Sequence, residues 1–457
     1  MDFIDKIKSQ NQVNLEQKEF LIDLSKTYLQ EINHWEKLNK NYPKILISES
    51  DPILFLAAFV AAVTAKCPVF LGNPQWGKEE WNQVYELVKP NLLISQGRIL
   101  DYQNSAPKNH ELLQNLIMIP TGGTSGNIKF AVHTWDTLTA SVLGVQQYFQ
   151  TPAIHSFCTL PLYHVSGLMQ WMRSLLTDGQ FIITSFKTVE TEDWINFNPH
   201  HFFISLVPTQ LHRLLQQPSL TNWLSQFQIV LLGGAPPWLD LLEQSRFYQI
   251  PLALTYGMTE TASQIVTLKP SDFLRGNNSC GKVLPHAKIK IQDQNGAELK
   301  TNQPGLITIE ADSLMLGYYQ ENFDPQMRIN SFIPDDLGYW DEQGYLTLVG
   351  RQSNKIITGG ENVFPAEVEA VILSTGLVQD ICVIGKPDQY WGEIVVAVYV
   401  PGFKQVSLME LQQAMLGKLS KFKHPKLWIP LEQLPRNFQG KLNQKLLREF
   451  VMDYQDQ

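Results

Sequence analysis

Cysteine is scarce in this chain. Four occur in 457 residues, Cys67, Cys158, Cys280 and Cys382, and no two form a C-x-x-C pair. That excludes a disulfide framework and a cysteine-based zinc site, and it fits reduced thiols in a reducing, cytoplasmic compartment. Basic charge is short as well. Lys and Arg total 36 against 44 Asp and Glu, a formal net charge of −8, which argues against broad nucleic-acid binding. Long apolar runs are missing too. The one membrane-like stretch, Ile53 to Ala65, covers only about three and a half helical turns, too few for a transmembrane segment. It reads as a buried helix, with Asp51-Pro52 as its cap and early proline. The opening Met1-Asp2-Phe3-Ile4-Asp5 is acidic and mixed, unlike a secretory leader. Short repeats and low-complexity tracts are absent.

What is present is the composition of a folded globular protein, 44% apolar and 18% charged. The length calls for two or three domains. The first 110 residues read as mostly helical, with one strand candidate at Val69-Phe70-Leu71. From Leu116 onward, short apolar runs alternate with helical periodicity: Leu116–Ile119, then Leu138, Val142, Val145 and Phe149; Phe202–Val207, then Leu211, Leu214 and Leu215; Ile229–Leu232, a helix, and Leu252–Leu254. The alternation predicts an α/β fold with layered sheets, parallel pairs and covering helices. After about Ser279 the pattern changes to alternating strands around the turn Asp293-Gln294-Asn295-Gly296, which predicts a small antiparallel or barrel-like subdomain. A compact α+β segment follows Gly350-Arg351. The expected boundaries are 1–350 for the large domain (its β-rich part about 280–350), 351–354 for a connection, and 355–457 for the small domain.

Two stretches carry chemistry on their own residues. Thr255-Tyr256-Gly257-Met258-Thr259-Glu260-Thr261-Ala262-Ser263-Gln264 follows an apolar run and should form a loop at a strand's C-terminal end, where open α/β sheets bind ligands. It offers a ring for a base, hydroxyls for phosphate and a carboxylate for Mg²⁺. Pro120-Thr121-Gly122-Gly123-Thr124-Ser125-Gly126-Asn127-Ile128-Lys129 reads as a loop between a strand and a helix. Its glycines let backbone N–H groups face a polyphosphate, and its hydroxyls and lysine add donors and charge. It is not a Walker A loop. An ordinary surface loop is the plain alternative for either stretch.

The glycine-rich stretch resembles the phosphate loop of AMP-forming acyl-CoA synthetases, the adenylate-forming superfamily. It departs from the usual pattern at Gly122, Ile128 and Phe130. Four further motifs fall in the family's order. Leu160-Pro161-Leu162-Tyr163-His164-Val165-Ser166-Gly167-Leu168 is similar to the segment that gates the acyl pocket. Gly233-Gly234-Ala235-Pro236 is similar to the turn beside the adenine. Asp335-Asp336-Leu337-Gly338-Tyr339-Trp340-Asp341, with Gly350-Arg351, resembles the ribose-binding region. Pro435-Arg436-Asn437-Phe438-Gln439-Gly440-Lys441-Leu442 resembles the terminal catalytic-lysine motif. The short chain and the sequel Thr261–Leu268 point, within that family, to the o-succinylbenzoate–CoA ligases of menaquinone and phylloquinone biosynthesis.

The resemblance implies ATP, Mg²⁺ and coenzyme A as cofactors and a small carboxylic acid as substrate. It implies that Lys441, Thr259, Glu260 and His164 are catalytic, with Glu260 the metal ligand. Thr121, Gly122, Gly123, Thr124, Ser125, Gly126 and Lys129 would hold phosphates. Gly233, Gly234, Ala235, Tyr256, Gly257 and Met258 would hold the adenine, and Asp336 and Arg351 the ribose. His164, Ser166, Gly167, Ser263 and Gln264 would face the acid. Ser353 falls at the hinge of a mobile C-terminal domain, where Asp or Lys is usual, and Gly359-Gly360 would approach the pantetheine arm. Adenylation and thiolation would then alternate by domain rotation. Another aryl or fatty acid, a peptide-synthetase module, a luciferase-like oxygenase or a catalytically dead nucleotide-binding regulator remain as alternatives, and a homo-oligomer stays open.

Overall fold

The computed structural model describes residues 3–9, 15–102, 113–122, 128–320, 322–326, 328–402, 407–436 and 442–454. Two seven-stranded sheets form the large part of the chain. In the first, the parallel strands Leu116–Gly122, Val69–Leu71, Ile45–Ser48 and Leu92–Ser95 lie side by side. Ile128–Thr134, Gly317–Tyr318 and Arg98–Asp101 add antiparallel edges. In the second, Leu252–Met258, Ile229–Leu232, Phe202–Leu206, His155–Cys158 and Phe181–Ile183 run parallel. Ser263–Thr267 and Lys282–Val283 close one side antiparallel.

The expected helix over Ile53–Ala65 is present as Pro52–Thr64. Asp51 caps it, accepting the amides of Ile53 and Leu54 at 2.8 and 3.0 Å, and Phe55 to Ala62 are buried. Among the described residues no helix is long and apolar enough to cross a membrane. That helix joins Trp135–Phe149 and Val165–Leu176 in one apolar cluster with strands of the first sheet.

The N-terminal region is mostly helical, as expected, but it contributes four strands to the first sheet where only Val69–Leu71 was expected. Ile45–Ser48 and Leu92–Ser95 are short apolar runs whose first three residues are buried. Such a run has no period to separate strand from helix, and only pairing partners decide.

A third, four-stranded antiparallel sheet (Ala287–Gln292, Gly305–Ala311, Asp336–Trp340, Leu346–Arg351) packs over Tyr256, Ile265 and Val266. The C-terminal sheet contains Glu361–Val363, Ile356–Thr358, Gly392–Pro401, Val378–Asp388 and Leu427–Pro430. Helix Pro365–Leu373 covers one face and Gln444–Asp453 the other.

Candidate active site

The strand Leu252–Met258 carries the stretch expected as a loop, and the loop is nearly absent. The strand runs through Tyr256 and Gly257, turns in one 3₁₀ turn at Thr259–Thr261, and returns as Ser263–Thr267. Gly257 makes this possible. A Cβ there would stand 2.1 Å from the Ser263 carbonyl oxygen and 2.5 Å from the Gln264 Cα. The register shifts between Tyr256 and Gly257, and Ala262 and Ser263 turn the chain with φ of 51° and 96°.

The turn is pinned from all sides. Met315 N donates to the Glu260 carbonyl at 2.8 Å, Ser313 Oγ to Thr261 O at 2.9 Å, and Ser141 Oγ to Ala262 O at 2.7 Å. His133 Nε2 lies 2.8 Å from the Thr259 carbonyl. A carbonyl only accepts, so Nε2 carries the proton. Burial pushes His133 down to about 4, against the opposing Thr259 carbonyl, so the ring stays neutral at physiological pH.

Three clusters form around the turn. In the first, Glu260 Oε1 accepts from Tyr318 Oη at 2.7 Å and from Thr121 Oγ1 at 3.4 Å, and Lys129 Nζ lies 5.1 Å from the Tyr318 ring centre. Burial, then Glu260, raises the Tyr318 hydroxyl's pKa. Thr121, Gly122 and Lys129 sit on two strands of an antiparallel hairpin, Leu116–Gly122 and Ile128–Thr134. The glycine-rich stretch therefore joins strand to strand, not strand to helix as expected. The run Ile128–Thr134 buries Phe130 to His133 and pairs back before the helix begins at Trp135. Gly123, Thr124, Ser125 and Gly126 lie outside the described residues, as does Lys441.

In the second cluster, Tyr256 Oη donates to Asp336 Oδ2 at 2.9 Å, and Arg351 Nε reaches Asp336 Oδ1 at 3.3 Å. Burial, then the Asp336 charge, raises the Tyr256 hydroxyl's pKa. Gly233, Gly234 and Ala235 follow the neighbouring strand. A Cβ at Gly233 would stand 2.4 Å from Thr255 Oγ1, and Thr255 Oγ1 bonds Leu232 O at 3.1 Å.

The third cluster contains a residue the sequence reading missed. Arg173 Nη2 donates to Ser263 Oγ at 2.9 Å and to Gln264 Oε1 at 3.1 Å. The side chain is buried at 2% exposure, and among the described residues its Nε has no partner and no carboxylate pairs with it. Burial lowers its pKa to about 10, which leaves it charged. A signal was available: Arg173 is the single charged residue in the helix Val165–Leu176. His164, Ser166 and Gly167 open that helix, with His164 at its N-cap.

Ser353 lies in the 3₁₀ turn Gln352–Asn354. Its amide donates to both carboxylate oxygens of Asp335 at 3.2 Å, and its hydroxyl also bonds Asp335. Gly359 and Gly360 turn the hairpin between Ile356–Thr358 and Glu361–Val363 with φ of 59° and 85°, where side chains are disfavoured. Gly359 N donates to Trp391 O at 2.8 Å. Tyr318 and His133 join Arg173 as groups without a role in the sequence analysis, and Asp335, there only part of the ribose motif, gains a partner in Ser353.

The donors suit Mg²⁺. Among the described residues no group of three or more His, Cys, Asp or Glu converges. Mg²⁺ keeps several waters and takes one or two carboxylates plus phosphates, so one carboxylate with a hydroxyl beside it is an adequate protein share.

Comparison with known proteins agrees with this layout. The AMP-binding enzyme family matches residues 103–319, and its C-terminal domain matches residues 367–441. A 2-succinylbenzoate–CoA ligase from Listeria monocytogenes is 31% identical over 425 residues, covering 88% of each chain. The o-succinylbenzoate coenzyme A synthetase of Bacillus subtilis in complex with ATP and magnesium superposes with a TM-score of 0.81 at 27% identity, covering 94% of both chains. A doubly substituted form of that enzyme, bound to a product analogue, superposes less well, at 0.63 with 28% identity over 94% of this chain and 93% of that one. The chain belongs to the AMP-binding, adenylate-forming enzymes, and within them it is similar to the 2-succinylbenzoate–CoA ligases.

Proposed function

We propose that the chain is an ATP-dependent acid–thiol ligase. It adenylates 2-succinylbenzoate and passes the acyl group to coenzyme A, releasing AMP and pyrophosphate, in menaquinone or phylloquinone biosynthesis. The observation that carries the substrate reading is Arg173. A buried cation with no anionic partner is costly. Arg173 is held by Ser263 and Gln264, directly after the turn that carries Glu260. An acid with two carboxylates activates one and keeps the other charged, and the charged one meets Arg173.

In the first half-reaction the acid's carboxylate attacks the α-phosphorus and pyrophosphate leaves. Negative charge gathers on phosphate oxygens, so positioning and fixed charge dominate catalysis. Lys441 bridges the carboxylate and the α-phosphate. Thr121, Thr124 and Lys129 hold the outer phosphates, with the backbone of Gly122, Gly123, Ser125 and Gly126. Thr259 and Glu260 line the reacting phosphate, and Glu260, with Thr121 beside it, would hold Mg²⁺, which would neutralise triphosphate charge. Gly233, Gly234, Ala235, Gly257 and Met258 border the adenine beside Tyr256. Asp336, already bonded by Tyr256 and Arg351, accepts the ribose hydroxyls. His164, Ser166 and Gly167 bound the acyl side.

In the second half-reaction residues 355–457 rotate as a domain against residues 1–350 about Ser353. Lys441 leaves, Gly359-Gly360 arrives, and the coenzyme A thiol attacks the acyl-adenylate. The drop in TM-score from 0.81 to 0.63 between two liganded forms of one relative supports this reading. The greater likeness to the ATP complex supports reading the present arrangement as the adenylating one. The four free thiols fit a cytoplasmic enzyme that needs no cysteine chemistry.

ATP–pyrophosphate exchange with a panel of acids tests the assignment. Exchange should require 2-succinylbenzoate; equal exchange with simple fatty or benzoic acids would reject the substrate. Lys441→Ala should cut exchange at least a hundredfold and leave thiolation of preformed acyl-adenylate within about threefold. Equal loss in both halves would remove Lys441 from its role.

A further inference from the structure

His286 is a second buried polar group, within reach of the Arg173 charge. It is 8% exposed, and neither ring nitrogen has a hydrogen-bond partner among the described residues. Leu284 N donates to Ile265 O at 2.8 Å, so the segment reaching His286 runs along the strand that carries Ser263 and Gln264. The imidazole fills space left by Gly144: a Cβ there would stand 1.7 Å from Nδ1. Gly144 lies on the helix Trp135–Phe149, which touches the same strand region through Ser141 to Ala262 O and through Tyr148 to Thr267 O. Burial, reinforced by the Arg173 charge and opposed by Asp312, pushes the imidazole down to about 4, so it is neutral. Arg173 Nε and Gln170 Oε1, on one helix, also lack partners among the described residues.

Folded proteins rarely leave buried polar atoms unbonded, and a cluster of them marks a place where something polar is held. A neutral imidazole brings one donor and one acceptor. We propose that His286 is a specificity-determining residue, hydrogen-bonding the non-reacting carboxylate of the acid alongside Arg173. This rests on the reading of Arg173 above. A site whose buried polar groups need a partner rejects an acid that lacks one far more strongly than an apolar site does. The Gly144 gap then exists to admit the ring that reads the substrate.

The test compares 2-succinylbenzoate with two probes that each lack one carboxylate, 4-oxo-4-phenylbutanoate and 2-acetylbenzoate. Affinity is read as KM in pyrophosphate exchange, or as Ki against the diacid. His286→Leu should weaken the diacid at least tenfold with kcat within about threefold, and should weaken the probe lacking the non-reacting carboxylate no more than twofold. Gly144→Ala, which displaces the ring without removing it, should move the ratio the same way. His286→Gln, which keeps a donor and an acceptor, should restore part of it. Thermal melting of each variant identifies loss of fold, and His286→Gln then carries the test. Equal weakening of all three acids, or none, would make His286 a packing residue. Arg173→Met separates the two ideas. If it leaves the ratio unchanged, the Arg173 reading fails. If it collapses the ratio and His286→Leu does not, only the present inference fails.

Discussion

Glu369 lies in the helix Pro365–Leu373, and its Oε1 accepts the amide of Val383 at 2.7 Å. Burial raises its carboxyl from 4.5 to about 7, with the nearby Asp380 adding to the shift and the Val383 amide and Arg436 opposing it. Protonated, the group sits in the fold at little cost. The unfolded chain ionises near 4.5, so the contribution is fully present below that pH. It is lost as pH rises through about 7, because the folded state must then bury the charge. The loss is bounded by roughly 3 kcal/mol. Glu369→Gln keeps the acceptor and removes the titration. Urea unfolding should find it more stable than the parent at pH 8 by up to about 3 kcal/mol, and close to the parent at pH 4.5. An equal difference at both pH values would mean that Glu369 does not titrate in this window. No sequence signal separates Glu369 from the neighbouring acids Glu361, Glu367 and Asp380. Arg173 is the opposite case, since a lone charge in an apolar helix is visible in the letters, though its partners Ser263 and Gln264 lie ninety residues away in the chain.

The turn between Leu252–Met258 and Ser263–Thr267 depends on one missing side chain. The atoms that a Cβ at Gly257 would meet are backbone, so no rotamer change relieves the contact. Gly257→Ala should part the two strands and shift Glu260 from Thr121 and Tyr318. Pyrophosphate exchange should fall at least a hundredfold while far-UV circular dichroism stays native, and stability should fall by about 2–4 kcal/mol. Retained exchange would show that the turn tolerates the shift. The sequence placed this element at a strand end but read a loop, because strand pairing across three residues is decided by backbone approach. The same limit applied to the hairpin around Gly122. Its hydroxyls and lysine were legible, whereas the return strand was settled by burial of Phe130 to His133 in the first sheet.

The large and small parts of the chain meet at a short connection. Asp335 holds Ser353 through its amide and hydroxyl, and Arg448 Nη2 reaches Asn354 Oδ1 at 3.0 Å. These contacts belong to the arrangement seen here, which resembles the ATP complex more than the product-analogue complex. Asp335→Ala should therefore slow pyrophosphate exchange by about threefold, a modest figure because the contact is exposed, and should leave thiolation of preformed acyl-adenylate unchanged or faster. Slower thiolation with unchanged exchange would reverse the assignment of states. By itself the sequence determined the α/β class, the family and the order of the motifs, because each rests on residues adjacent in the chain or on their period. Only the tertiary structure decided which distant groups meet: Thr121 with Glu260, Tyr256 with Asp336, Arg173 with Ser263, and His286 with the gap at Gly144. Those meetings depend on sheet order and register, which short-range letters do not encode.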